Sequence, residues 1–232
     1  MRPLPLWRHE LRRAGRVALL PPPLAPALVV AVTLLNGSEG SQREVMRNLL
    51  ATVEMGLPLV AGIGAASLVG RDPAVELQLA LPTPYRTTLL RRLAVALGCT
   101  ALVAVLIVAL LVATGWWARW PEAHGPLVGQ LVWLAPTLWL AALGFLAGAA
   151  FRGPAAAGGL VAVLWLVQLL FAGTVQEHRW ARLLYLFATN QGTVPADWLG
   201  NRVTLVATGI ALGLAGWLLL GRTERLVGGE TE

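Results

Sequence analysis

Glu54 stands inside an apolar run, 49–70, where a carboxylate has little water to face. An ionisable group in lipid is costly and marks a substrate or ion pathway by default. The plainer alternative is that the span begins later and leaves Glu54 at the interface near Arg47. Two more polar side chains interrupt apolar runs: Gln130, in the outer part of 127–151, and Gln168, in 155–174. Glutamines at such positions line a path or bond between helices. Glu54, Gln130 and Gln168 are therefore the candidate path residues.

Other chemistry has little to build on. The histidines, His9, His124 and His178, fall on separate stretches, and neither HExxH nor CxxC occurs. Zinc sites need clustered donors of that kind. Glu177, His178 and Asp197 share one segment, where a surface role is the simpler reading. Cys99 is the only cysteine and cannot form an intrachain disulfide. Asn36-Gly37-Ser38 fits a glycosylation sequon, a pattern short enough to recur by chance. All 18 basic residues are arginine, whereas a P-loop requires a lysine to hold phosphates. The chain is therefore expected not to be an enzyme by itself, and to carry no cofactor of its own.

The elements that must position these residues follow from composition. The chain of 232 residues is 56% hydrophobic and 13% charged, with mean hydropathy +0.67. A soluble domain carries about 25% charged residues, so an integral membrane protein is expected. The net charge of +6 comes from arginines that flank apolar runs, which points to lipid headgroups and away from nucleic acid. Six runs approach the ~20 residues a spanning helix needs: 17–36, 49–70, 93–115, 127–151, 155–174 and 203–221. The short alternating segments of a β-barrel are missing. The predicted fold is an all-α integral membrane domain over 1–232, with six transmembrane helices.

With the N-terminus in the cytoplasm, twelve of the eighteen arginines lie inside and six, including Arg202, outside. That bias places both termini in the cytoplasm. Trp116, Trp117 and Trp120 then form an outer interfacial group, with Trp180 and Trp198 at similar depth, and Trp7 and Trp217 serve the inner face. Leu4, Trp7 and Leu11 recur at helical spacing, predicting an interfacial elbow helix over 3–20. The prolines at 21–23 mark a bend at its end. Gly144 and Gly148, and again Gly209 and Gly213, are spaced for close helix packing.

The segment 71–92, "RDPAVELQLALPTPYRTTLLRR", is the longest inside loop. A short helix over 73–81 is expected, then Thr83 as N-cap and Pro84 in the first turn of the third span. Glu76 and Arg86 are its exposed charges. On pattern alone this is a plain loop with snorkelling arginines.

The same segment resembles the loop between the second and third spans of ABC-2-type transporter permeases. Those chains carry an acidic residue, a leucine-rich segment, a proline-centred turn and a basic helix start. "LWRHELRRAGR" resembles their elbow helix, and six spans in one short chain match the family. The triple proline departs from it. The resemblance implies a coupling helix with Glu76, Leu77, Leu81, Pro82, Pro84 and Arg86 against a separate ATPase subunit, which would bind ATP and Mg. It implies a second permease chain, identical or related, and export of an amphipathic or hydrophobic substrate across the cell (plasma) membrane. It also implies that the outer segment 175–201 dips partly back into the membrane, with Leu183, Leu184, Tyr185, Leu186 and Phe187 half-buried. A membrane anchor or assembly subunit, and a channel or secondary carrier, are the competing readings.

Overall fold

The computed structural model describes residues 21–35, 42–70, 85–115, 117–119, 125, 127–151, 153–190 and 195–221. Every regular element among them is helical. In chain order these are α1 (Pro21–Leu35), α2 (Gln42–Ala51), α3 (Leu57–Gly70), α4 (Tyr85–Ala113), α5 (Leu131–Phe151), α6 (Pro154–Leu170), α7 (Ala172–Glu177), α8 (Arg179–Arg182) and α9 (Pro195–Leu220). Four helical stretches are long and apolar enough to cross a membrane: Arg47–Val69, Thr87–Ala113, Val128–Phe151 and Asp197–Leu220. The first and fifth apolar runs form shorter helices among the described residues. α1 has 15 residues and α6 has 17. At 1.5 Å per residue α6 is about 26 Å long, a little short of the hydrocarbon core. The expected elbow over 3–20 and coupling helix over 73–81 lie outside the described residues.

Local sequence explains where the helices begin and end. Gly153 is extended and Pro154 follows at the first helical position of α6, where its missing N–H removes no bond. Gly115 ends α4 with φ +71°, a conformation that a side chain disfavours. The Arg47–Val69 stretch is continuous but not uniform. α2 passes into a π-helical turn, Thr52–Gly56, and then into α3. Pro58 accounts for the widening. It offers no N–H to the carbonyl of Glu54, and its ring crowds that carbonyl. The amide of Leu57 instead reaches back five residues to the carbonyl of Thr52.

α5 is the central helix, packed along α3 on one side and α9 on the other, with α6 also against it. The first contact is unusually close. A Cβ on Gly144 would run into the carbonyl of Gly62, and one on Gly148 would lie 2.9 Å from Cβ of Val69. Glycines at helical spacing thus let the backbones of α3 and α5 nearly touch. The main core joins Leu57, Ala104, Leu140, Val161, Phe187 and Leu205, from α3, α4, α5, α6, the 183–190 segment and α9.

Candidate functional site

The 183–190 segment lacks regular helix, yet Tyr185, Leu186, Phe187 and Ala188 are fully buried. Half-burial was expected over 183–187; Leu183 and Leu184 are half-buried, whereas Tyr185, Leu186 and Phe187 fold fully into the bundle ahead of α9. The segment's aromatic rings interlock with α6. Phe187 meets Trp165 edge-on at 5.6 Å and Tyr185 at 5.7 Å. Backbone buried without helical partners must find others, and at membrane depth irregular backbone survives only inside protein.

Four side chains supply those partners. The carboxylate of Glu54, on the π-turn, accepts the amides of Thr189 at 2.8 Å and Asn190 at 2.6 Å. Gln168 of α6 donates to the carbonyl of Leu184 at 3.3 Å and accepts the amide of Leu186 at 2.9 Å. Asn201 of α9 donates to the carbonyls of Arg182 at 2.7 Å and Tyr185 at 2.8 Å. Arg202 of α9 donates to the carbonyl of Leu186 at 3.1 Å. Six backbone groups of the inserted stretch, and the carbonyl of Arg182 just before it, are thereby satisfied from three different helical elements.

Arg202 is also the partner of Glu54. Its Nη2 donates to Oε1 of Glu54 and, at 2.6 Å, to the hydroxyl of Thr189. Both members of the pair are 0% exposed. Trp198 lies beneath the guanidinium, 5.5 Å from ring centroid to Cζ, and its indole N–H donates to the same Thr189 hydroxyl at 3.1 Å. A guanidinium over an indole face gains from the ring quadrupole. Nearer the surface, Arg182 and Asp197 form a partly exposed ion pair at 3.2 Å, a contact of small energetic value.

These positions answer the sequence expectations one by one. Glu54 is fully buried and paired with Arg202. Gln168 joins the same cradle. Gln130 does not: it lies just before α5 and accepts the indole N–H of Trp133, in the first turn of that helix, at 2.7 Å. Arg202, expected at the outer surface, is in the core. Trp198, expected as an interfacial anchor, is 1% exposed and belongs to the same cluster. Trp180 does lie exposed. Of the coupling-segment residues, Glu76, Leu77, Leu81, Pro82 and Pro84 lie outside the described residues. Arg86 falls in the first turn of α4, with its side chain outside them as well.

Arg202, Asn201 and Thr189 are the site residues the sequence reading missed. Asn201 and Arg202 sit together at the head of the apolar run 203–221, within one turn of lipid-compatible sequence. That position was the available signal. Chemically the arrangement is a latch, with every polar atom of Glu54 directed at the chain itself. The fold and the site together define a helical membrane protein with a non-helical segment secured inside its bundle. No family model, curated protein or solved structure matches the chain.

Proposed function

We propose that the chain is the membrane-spanning permease subunit of an ABC-2-type ATP-binding-cassette transporter. In this reading it has six spans, with both termini in the cytoplasm of a plasma membrane. Two permease chains enclose a path for an amphipathic or hydrophobic substrate, and separate ATPase subunits bind the 71–92 segments. The observation that carries the reading is the 183–190 segment, folded into the bundle directly before the last long helix. The resemblance implies an inserted stretch at that place. The absence of lysine is compatible with it, because any ATP-derived energy used would come from outside this sequence.

The geometry suggests how force would travel. The 71–84 stretch joins the end of α3 to the start of α4. α3 is held rigidly against α5 through Gly62, Gly144 and Gly148. At its other end it continues through the π-turn that carries Glu54. A push on the coupling segment would therefore arrive at the latch. Glu54 and Gln168 are occupied by the chain itself in this conformation, so a path along them opens only when the 183–190 segment lets go.

The test is a complex purified with its ATPase subunit. Altering Glu76 and Pro82 together should uncouple ATP hydrolysis from transport while the complex still assembles in the membrane. Unchanged hydrolysis and transport in that double variant, or no ATPase subunit co-purifying with the wild-type chain, would overturn the reading.

A further inference from the structure

Helices α3 and α5 run in the same direction and keep a close register over their C-terminal halves. A Cβ on Gly62 would lie 3.0 Å from the carbonyl oxygen of Leu140, and one on Gly144 would run into the carbonyl of Gly62. Further along, Gly148 faces Ala66 and Val69. One turn back from the facing residues Gly62 and Leu140 stand Pro58 and Pro136. The two prolines therefore lie at one depth in adjacent helices. Each deprives its helix of a backbone bond at that depth. Pro58 offers no N–H to the carbonyl of Glu54, and Pro136 offers none to the carbonyl of Val132. Just before Pro58 the helix is already widened into the π-turn, and that turn packs against α5.

α9 provides the contrast. It also runs along α5, with Gly209 against the backbone of Trp139 and Gly216 against Phe145 and Leu146. It continues from Pro195 to Leu220 with no proline after its first residue. Sharp helix bends gather at prolines and π-turns, so α3 and α5 have a place to bend that α9 lacks. The latch ties the two kinds of helix together on the N-terminal side of the prolines. Glu54 rides on the arm Gln42–Gly56, ahead of Pro58, and Arg202 belongs to α9. Beyond the prolines, glycine contacts hold α3, α5 and α9 in place. We propose that Pro58 and Pro136 form one hinge, on which the arm Gln42–Gly56 and the start of α5 swing away from α9, and that the Glu54–Arg202 pair is the catch that keeps it shut. The buried side chains parted by such a swing, Leu50, Val53 and Val132, are apolar. Lipid tails are as apolar as leucine, so the ion pair and its hydrogen bonds supply the main resistance. The hinge is a property of this chain alone, whatever drives it.

The experiment measures spin-label distances by pulsed electron paramagnetic resonance on the full chain in nanodiscs, in a Cys99→Ala background. Asn48→Cys with Val203→Cys reports the arm against α9. Ile63→Cys with Leu214→Cys reports α3 against α9 beyond the prolines. All four positions are exposed. With the catch intact, both distance distributions should be narrow. Glu54→Gln with Arg202→Met releases the catch and should lengthen the first distance by about 5 Å, the swing that a bend of about 20° gives over the roughly 15 Å from Pro58 to Asn48. The second distance should not change. Adding Pro58→Ala and Pro136→Ala restores both N–H groups and should bring the first distance most of the way back. Where the released protein fails to fold, Arg202→Lys takes its place, keeping the charge and losing the forked donor. Three results would each overturn the proposal. One is a first distance that stays put on release. Another is equal lengthening at both pairs, the mark of general loosening. The third is lengthening that survives both alanines, which would put the bend elsewhere.

Discussion

Glu54 and Arg202 are 148 residues apart in the chain and meet as a fully buried ion pair, with the carboxylate also capping two backbone amides. Breaking such a pair on one side strands a charge in the core and costs about 3–5 kcal/mol. Glu54→Gln and Arg202→Met are each expected to lower thermal stability sharply in detergent. The double variant should be milder than the sum of the two, because no lone charge remains. Exchanging the residues, Glu54→Arg with Arg202→Glu, should fail: an arginine at 54 cannot accept the amides of Thr189 and Asn190. Thermal unfolding of the four proteins checks this, and full rescue by the exchange would show that charge alone matters at the site.

Gln168 makes a separable contribution. Gln168→Leu keeps the bulk but leaves the amide of Leu186 and the carbonyl of Leu184 without partners. A buried orphan costs about 1–3 kcal/mol. Since the Glu54–Arg202 pair remains, the loss should be local: faster hydrogen exchange in a peptide covering 183–190, with the helices α3 and α5 unchanged. Gln168→Glu should fall between, since it keeps an acceptor for Leu186 and loses the donor to Leu184. Equal exchange in all three proteins would remove Gln168 from the cradle.

The apolar runs were legible because each carries its evidence in every residue. Membrane helices need no partner to be recognised, only length and hydropathy. Glu54 was legible as an anomaly, and so was Gln168. Their purpose was not, because two of the three groups that Glu54 binds are specified nowhere by residue type. The amides of Thr189 and Asn190 would be the same on any non-proline residue. Arg202 misled for a different reason. Counting arginines across a membrane treats every one as a surface charge, and an arginine buried with its Nη atoms bonded to carboxylate, hydroxyl and carbonyl breaks that assumption. The π-turn did have a sequence cause in Pro58, but its consequence, the aim of Glu54 at a segment from far along the chain, is tertiary.

The contact between α3 and α5 gives a sharper contrast. At Gly144 a methyl group would collide with the backbone of Gly62, which cannot move aside as a flexible side chain does. Gly144→Ala should therefore push the two helices apart, at about 1–3 kcal/mol for overpacking. At Gly159 a methyl group meets nothing within 4 Å. Gly159→Ala on the outer face of α6 should be neutral or stabilise by up to about 1 kcal/mol through the unfolded chain. Comparing the melting temperatures of the two variants in one detergent decides it. Similar values would mean that the helices are not in close contact.

Topology is the remaining prediction, and it bears on every other reading because the direction of the coupling segment depends on it. The proposal places the turn before α5 outside and the 71–84 segment inside. Leu127 is 86% exposed at that turn, and the native Cys99 can be removed as Cys99→Ala. In that background Leu127→Cys should react with a membrane-impermeant maleimide in intact cells. Glu76→Cys should react only after the membrane is opened. The reverse pattern would turn the chain over. The inside arginine excess would then lie outside, against the rule that orients membrane proteins, and no cytoplasmic ATPase could reach Glu76 or Pro82. Reaction of both cysteines in intact cells would instead mean an odd number of helices fails to cross between positions 76 and 127. Among the described residues α4 is the only long apolar helix wholly between them, and its 27-residue apolar span is the longest of the four, so the two positions are expected on opposite sides.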